Sequence, residues 1–376
     1  MEKKAIDRKV ENEVERADYT RLKMCMYRAK MGEELTIGFF GGSITQGCSA
    51  TVHERAYSYR VFEWWKKAFP KAEFHYVNGG IGGTSSHFGV SRVREDLLMY
   101  QPDVVMIDFS VNDKAEDFFE ETYEGLLRRI LAWKSEPAVI LLNNVYYDTG
   151  ENAQEHHNTV GDYYQVPHVS IKDTLYQKMK AGMYTREELT QDGLHPNDKG
   201  HGLIAEEIID FLEQVRADME EQGAIEEIPN VRLPMPVTAN AYEHAKRLTI
   251  REVSPALLGF RADSEEKTGH LDTFRNGWIG KQAGEKIVFE VTASCIAIQY
   301  RKTIKKPTLR AKLVLDGNTE DIRVLDGNFE EDWGDCLYLE PVLHHGEKKE
   351  HRIEIEILDD KTEKATPFYL ISLVLA

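Results

Sequence analysis

The chain has 376 residues, a formal net charge of −17 and 41% hydrophobic residues. These values predict a globular protein of about two domains. The negative charge opposes binding to nucleic-acid phosphates and to anionic membranes, so neither partner is expected. The charged N-terminus lacks the apolar core of a signal peptide, and no apolar stretch is long enough to span a membrane. The four scattered cysteines form no Cys-x-x-Cys pair, so we expect free thiols in a cytoplasmic protein.

The first part of the chain alternates helical patterns with short apolar runs. A charged amphipathic pattern predicts a helix over about residues 9–31. Helical patterns also lie at 57–69, 91–100, 116–133 and 198–215. Buried strands are predicted at 35–40, 74–77, 104–109, 139–142 and 167–171. Because strands and helices alternate, we expect a three-layer α/β/α domain around a five-stranded parallel sheet.

The pattern changes in the last third of the chain. Pro229, Pro234 and Pro236 exclude both a helix and a central strand and predict a linker. Beyond it, short β-rich runs are separated by Asp-Gly-Asn turn signals and predict an all-β sandwich. The predicted α/β domain, linker and β-domain occupy residues 1–228, 229–240 and 241–376.

Four polar motifs lie at predicted strand ends or before the last helix. Ser43 follows two glycines after the first strand, and the glycine-rich segment 78–85 follows the second. Asn112 follows the third strand, while Asp192 and His195 precede the last helix. Taken singly, each motif is also explained as a helix cap or a turn. Ligands bind beyond the carboxyl ends of the strands in such sheets, so together the motifs predict one site.

The residue types in these motifs fit nucleophilic catalysis. A serine becomes reactive when a neighbouring base accepts its proton, and a third group must orient that base. His195 and Asp192 can supply both functions for Ser43. An amide such as that of Asn112 can donate to a developing oxyanion.

The order of the four motifs resembles that of the SGNH (GDSL-type) hydrolases over roughly residues 33–215. The resemblance implies a serine esterase that needs no metal or organic cofactor. Its catalytic residues would be Ser43, Asp192 and His195, and its oxyanion donors Ser43, Gly83 and Asn112, with Gly82 as the alternative to Gly83. Gly42 stands where the family often has aspartate, a variant similar to members that act on carbohydrate esters.

The β-domain offers candidate sugar contacts. Trp278, Trp333 and Asp335 combine aromatic rings with a nearby carboxylate, which suits a pyranose, although either ring could instead belong to the sandwich core. A hydrolase domain with such a module is similar to two-domain bacterial manno-oligosaccharide acetylesterases of carbohydrate esterase family seventeen, whose β-domain resembles a carbohydrate-binding module. This resemblance implies removal of acetyl groups from plant oligosaccharides, with mannan favoured and xylan open.

Two other functions remain as alternatives. A lipid- or thioester-directed hydrolase would need an apolar acyl channel, whereas the strand-end loops here are mostly polar. A carbohydrate-binding protein with an inactive hydrolase domain would not need four intact motifs. We expect the histidine pairs at 156–157 and 344–345 to lie on the surface without a metal, and a homodimer is left open.

Overall fold

The computed structural model describes residues 17–222, 233–268, 273–331, 333–358 and 365–376. The helices are α1 Thr20–Met31, α2 Ser43–Gln46, α3 Tyr57–Ala68, α4 Ser86–Asp96, α5 Asp117–Leu131, α6 Gln154–Tyr163, α7 Leu175–Lys180, α8 Arg186–Leu189 and α9 Asp198–Gln222. The strands among them are β1 Glu34–Gly41, β2 Glu73–Asn78, β3 Val104–Asp108, β4 Ala138–Asn143 and β5 His168–Ser170. Within the described residues, no helix is long and apolar enough to cross a bilayer.

The five strands of the first domain form one parallel sheet in the order β2-β1-β3-β4-β5. Helices α1, α3 and α9 cover one face, and α4, α5 and α6 cover the other. Every residue of β3 and β4 is buried because these strands are covered on both faces. The predicted three-layer domain with a five-stranded parallel sheet is confirmed.

The two terminal helices of this domain differ from their predicted bounds. Residues 17–19 are not helical, so α1 begins at Thr20, and predicted helical residues 9–16 lie outside the described residues. Helix α9 extends past residue 215 to Gln222. The extension follows from apolar spacing, since Leu212, Val215 and Met219 continue one buried helix face.

The C-terminal part is all-β, as predicted. Its strands are β6 Lys246–Leu248, β7 Ala256–Leu258, β8 Arg261–Ala262, β9 Trp278–Gly280, β10 Lys286–Ala293, β11 Ile296–Lys302, β12 Arg310–Leu315, β13 Arg323–Asp326, β14 Cys336–Leu343, β15 Lys349–Ile357 and β16 Phe368–Leu375. One antiparallel sheet has the order β13-β12-β15-β10-β7. The other has the order β14-β11-β16-β9-β8, and β6 pairs with β16. The two sheets enclose one apolar core.

The two domains share a hydrophobic core. Every residue of β16 is buried, because one side of the strand faces the sandwich and the other faces the first domain. Tyr369 and Ile371 belong to the same buried cluster as Phe88 of α4 and Leu126 of α5. The β-domain is therefore fixed against the face formed by α4 and α5.

The described end of the predicted linker is bound to α5, and its residues 229–232 lie outside the described residues. The buried carboxylate of Glu124 accepts hydrogen bonds from the backbone N–H groups of Val237 at 2.8 Å and Thr238 at 2.9 Å. Arg128 donates to the carbonyl of Pro234 at 2.8 Å. Residues 233–240 therefore act as a packed connection rather than a free spacer.

We expect Glu124→Ala to lower the free energy of unfolding by about 3 kcal/mol, because it removes the buried carboxylate that accepts hydrogen bonds from the N–H groups of Val237 and Thr238. Urea denaturation of the full chain measures this change. Glu155→Ala, at an exposed position of α6, should change stability by less than about 0.5 kcal/mol. Equal losses in the two variants would contradict the assigned role of Glu124.

Candidate active site

Ser43 lies at the carboxyl end of the central strand β1, as the first residue of α2. The chain turns sharply here because Gly41 and Gly42 lack side chains. A Cβ on Gly42 would lie 2.1 Å from Asn112 Oδ1, and one on Gly41 would lie 2.4 Å from the carbonyl oxygen of Asp108. The Gly42 N–H donates to the same Asp108 carbonyl at 3.2 Å. These contacts require glycine at both positions and hold Ser43 at the sheet edge.

The structure brings Ser43, His195 and Asp192 into one hydrogen-bonded chain. The distance from Ser43 Oγ to His195 Nε2 is 2.8 Å, and that from His195 Nδ1 to Asp192 Oδ2 is 2.6 Å. An ionised carboxylate can only accept, so Nδ1 carries the proton and Nε2 accepts from the serine hydroxyl. This geometry allows His195 to take the hydroxyl proton of Ser43.

Asp192 is held in its charged form by its surroundings. Partial burial opposes the charge, but hydrogen bonds from His195 and from the backbone N–H groups of Leu194 and His195 outweigh it and lower the pKa to about 2. The second oxygen, Oδ1, accepts from those two N–H groups at 2.9 and 2.8 Å and from the Thr190 hydroxyl at 3.1 Å. The carboxylate is therefore fixed in position as well as ionised.

The loop that carries Asp192 and His195 is fixed at both ends. Gly193 has a φ of +81°, a backbone conformation that favours glycine, and a Cβ there would also displace the Asp148 carboxylate. Its carbonyl accepts from the N–H of Tyr147 at 2.7 Å. On the other side, Asn197 Oδ1 accepts two backbone N–H groups in the first turn of α9. His195 thus lies between a constrained turn and a capped helix.

The glycine loop after β2 distinguishes the two candidate oxyanion donors. The N–H of Gly82 donates to Gln46 Oε1 at 2.9 Å. The N–H of Gly83 has no acceptor within the described part of the chain. The N–H of Ser43 is at the start of a helix, where no intrahelical partner exists. This pattern favours Gly83 over Gly82 as a donor to substrate.

Asn112 lies beside the loop that carries Ser43. Its side-chain amide packs against Gly42, as the close approach of a hypothetical Cβ there shows. The Asn112 amide forms no hydrogen bond with any of the described residues, so its donors are available to a bound molecule. Asn112 is therefore placed next to Ser43, as the sequence predicted.

Arg92 supports this site but was not predicted from the sequence. Its side chain is 1% exposed and donates to the carbonyls of Gly41 at 3.0 Å and Gly79 at 2.6 Å. The guanidinium lies 4.3 Å from the ring centre of Phe40. One buried cation therefore joins the ends of β1 and β2. The feature of the sequence that could have identified Arg92 is its position as a single arginine on the apolar face of α4.

The β-domain reaches the glycine loop through Trp333. A Cβ on Gly83 would lie 3.2 Å from Trp333 Cη2, so the indole ring is in contact with this loop. The indole N–H donates to Glu331 at 2.5 Å, and Phe329 packs edge-on against the ring. Trp333 remains 54% exposed. An accessible aromatic ring therefore lies directly beside the candidate oxyanion donor.

Trp278 and Asp335 have different surroundings from Trp333. Trp278 is 1% exposed and packs edge-on against Phe289 inside the sandwich, which corrects its prediction as a sugar contact. The side chain of Asp335 is 9% exposed, and its carboxylate lies 4.0 Å from Arg301. Trp278 is thus a core residue, and Asp335 is mainly part of an ion pair.

Tyr146 is a second site residue that was not predicted. It follows β4 and is 37% exposed. Partial burial and the negative charges of Glu331 and Asp192 raise the pKa of its hydroxyl. Tyr146 is therefore near enough to Glu331 of the β-domain and to Asp192 to be affected by both charges. Its position after a strand end was the signal that could have identified it.

The histidine pair at 156–157 is not a surface pair, which corrects the prediction. His157 is fully buried, stacks on Tyr123 with ring centres 3.6 Å apart, and lies 3.0 Å from Asp113 Oδ2. Asp113 Oδ1 accepts the N–H of Ser86 at the start of α4. His157 is therefore a structural residue in the protein interior.

Comparison with known proteins identifies similarities across both domains. Residues 39–203 match the family model described as the GDSL-like lipase/acylhydrolase family. Two crystal structures of a two-domain esterase active on acetylated mannans are similar to this chain, each with 43% sequence identity and a TM-score of 0.90. Each alignment covers 96% of this chain. It also covers 95% of the esterase chain co-crystallised with mannopentaose and 96% of the other esterase chain. No curated protein matches the chain.

The buried carboxyl of Asp108 gives a pH-dependent prediction. Burial raises its pKa to about 7, despite hydrogen bonds from Asn144 and Thr45. The unfolded carboxyl ionises near pH 4, so between about pH 4 and 7 the native state binds more protons and this group lowers stability as pH rises. Asp108→Asn removes the ionisation and resembles the neutral acid in shape.

We therefore expect Asp108→Asn to gain stability relative to wild type as pH rises from about 4 to about 7, with no further gain above that range. Urea denaturation of both proteins across this interval measures the difference. A difference that stays constant with pH would show that Asp108 has no raised pKa in the folded state.

Proposed function

Since this chain belongs to the GDSL-like lipase/acylhydrolase family and is a carboxylic ester hydrolase, we propose that it is a carbohydrate O-acetylesterase acting on mannan-type oligosaccharides. The proposal is carried by its 43% identity to an esterase active on acetylated mannans over 96% of the chain. The contact of Trp333 with the Gly83 loop supports it, because an accessible aromatic ring beside the ester site suits a sugar ring.

In the proposed mechanism, Ser43 is the nucleophile and His195 the base. His195 Nε2 takes the proton from Ser43 Oγ as the oxygen attacks the acetyl carbonyl, and Asp192 stabilises the resulting imidazolium. The N–H groups of Ser43 and Gly83 and the Asn112 amide stabilise the oxyanion. His195 then returns the proton to the departing sugar hydroxyl, which leaves an acetyl-serine.

The second half of the reaction repeats the same proton transfers with water. His195 removes a proton from a water molecule that attacks the acetyl-serine, and the Ser43 oxygen leaves with that proton. Acetate is released and the hydroxyl of Ser43 is regenerated. Each step uses groups of the chain itself, so the proposal includes no metal or organic cofactor.

The proposed sugar-binding surface combines both domains. Trp333 and Glu331 come from the β-domain, and Tyr146 follows β4 of the first domain. A pyranose can stack its apolar face on Trp333 while its hydroxyls bind the Glu331 carboxylate or the Tyr146 hydroxyl. Xylan-derived esters remain within this proposal because the contacts described are not specific to one backbone.

The surroundings of the thiols support a reducing compartment. All four cysteines are free, and three of them are buried. Free thiols are typical of cytoplasmic proteins, and we propose that location for this enzyme. A lipid-directed hydrolase is less well supported, because the residues around Ser43 are glycines and polar side chains.

We expect Ser43→Ala to reduce acetate release from acetylated manno-oligosaccharides by at least about 10³-fold, because the nucleophile is lost while the oxyanion donors remain. The assay compares acetylated manno- and xylo-oligosaccharides with aryl esters of increasing acyl length. Ser254→Ala, at an exposed position of the β-domain, should retain the wild-type rate.

Three results would contradict parts of this proposal. Turnover by Ser43→Ala equal to wild type would exclude the serine mechanism. Cleavage of long-chain aryl esters without release of acetate from either oligosaccharide would replace the carbohydrate esterase with a lipid-type hydrolase. Oligosaccharide binding without turnover of any ester by the wild type would indicate a binding protein.

We expect Trp333→Ala to raise KM for acetylated manno-oligosaccharides roughly tenfold while changing kcat/KM for a small aryl acetate less than about twofold. Trp333→Phe should raise this KM by a smaller factor, because an aromatic ring remains at the position. Tyr100→Ala, which removes an exposed ring outside the site, should leave both substrates unaffected. An equal fall in kcat/KM for both substrates would mean that Trp333 only supports the Gly83 loop.

A further inference from the structure

A cluster of one carboxylate and two imidazoles lies where the two domains meet. Glu121 is on α5, and His344 and His345 form the turn between β14 and β15. One potential ligand atom from each residue lies within 4.8 Å of the others. The three side chains therefore come from separate domains but converge on one point.

The backbone of the turn brings the two adjacent histidines together. His345 has a φ of +52°, in the left-handed region, and its ring centre lies 4.1 Å from that of His344. In an extended strand, neighbouring side chains point to opposite faces. The left-handed residue overcomes that alternation, so the two rings lie side by side.

The neighbours of the cluster orient its ligand atoms. Glu121 is buried; its Oε1 accepts the N–H of Ala241 at 2.8 Å, while Oε2 lies 2.8 Å from His345 Nε2. His344 Nδ1 lies 2.9 Å from the hydroxyl of Tyr242. If Nδ1 donates to that hydroxyl, the lone pair of His344 is on Nε2. Such outer contacts commonly fix the tautomer of a metal-binding histidine.

We propose that Glu121, His344 and His345 form a binding site for a divalent transition metal of the zinc type that links the two domains. Two imidazole nitrogens and one carboxylate oxygen form a ligand set that suits Zn²⁺. Ca²⁺ and Mg²⁺ instead prefer ligand sets made only of oxygen atoms. A tetrahedral Zn²⁺ with bonds of about 2.1 Å separates its ligands by roughly 3.4 Å. Small side-chain rotations suffice, and water completes the fourth position.

Binding requires a change of tautomer at His345. In the metal-free cluster, the Nε2–H of His345 donates to Glu121 Oε2. When the metal takes the place of that proton, Nε2 loses it to solvent and Nδ1 takes one up, so the imidazole stays neutral. His344 and His345 are exposed, so the ion can enter from water. Because the ligands come from both domains, the bound ion stabilises the folded chain against unfolding.

A second cluster provides a matched control. Asp117, Glu120 and His156 also lie close together, but they offer a single imidazole and two carboxylates that are not buried. His156 already lies 2.6 Å from Glu120. This composition is less suited to Zn²⁺ than the cluster at Glu121, so His156→Ala is expected to leave zinc binding unchanged.

The test is isothermal titration of Zn²⁺ into the full chain after treatment with a chelator. We expect one site per chain with a micromolar or lower Kd and a zinc-dependent rise in Tm. His344→Ala and His345→Ala should each weaken binding at least about tenfold and reduce the Tm rise. Glu121→Gln should do the same while retaining an acceptor for the Ala241 N–H. Ca²⁺ should not bind.

Circular dichroism and aryl-acetate hydrolysis show whether each variant is folded, since none of these residues contacts the triad. Absence of zinc binding by the wild type would overturn the proposal. Wild-type binding by His344→Ala and His345→Ala, or loss of binding in His156→Ala alone, would also overturn it. These outcomes are independent of the proposed esterase function, because the readouts are metal affinity and Tm.

Discussion

The candidate active site depends on the sharp exit of the chain from β1. Gly41 and Gly42 lie against Asp108 and Asn112 so closely that neither position has space for a Cβ. Arg92 donates to the carbonyl of Gly41 and to that of Gly79, which couples this exit to the loop after β2. Ser43 and the glycine loop are therefore positioned by the sheet edge rather than by their own flexible connections. Preorganised donors of this kind are most effective when they need not move during the reaction.

The β-domain and the first domain are packed together through a shared core. The strand β16 is buried on both sides, and the connection at 233–240 is hydrogen-bonded to Glu124 and Arg128. Because the interface is a shared apolar core, the two domains have a fixed relative position in the folded chain. This fixed position explains how a residue of the second domain, Trp333, can contact a loop of the first. A loosely tethered binding module could raise local substrate concentration but would not place a side chain beside Gly83.

The sequence was most informative for site residues that directly follow a predicted strand or precede a predicted helix. Ser43, Asn112, Asp192 and His195 could be placed because each follows a strand or precedes a helix, and parallel strands bring such positions to one edge. The sequence could not show that Trp278 is buried and Trp333 exposed, because Trp278 is buried only through packing between the two sheets.

Other features depended on contacts that are distant in sequence. The alternative donor Gly82 became less favoured only when the structure placed the Gln46 side chain as the acceptor of its N–H. The strand β14 is difficult to predict because Pro341 interrupts its sequence pattern. The structure accommodates this proline at a register shift opposite Ile296 and Ala297. Arg92 and His157 were likewise hidden, because a charged or titratable residue in the sequence does not reveal that it is buried.

Two carboxylates at the sheet edge show how environment assigns chemical function. Asp108 ends β3 beneath the nucleophile loop, where burial raises its pKa to about 7. Asp192 lies in an accessible turn, where hydrogen bonds lower its pKa to about 2 against the effect of partial burial. Only a carboxylate that remains charged can stabilise an imidazolium at neutral and mildly acidic pH. The electrostatic environment therefore suits Asp192 to the role proposed for it beside His195, whereas Asp108 supports the backbone and accepts from the Thr45 hydroxyl beneath Ser43.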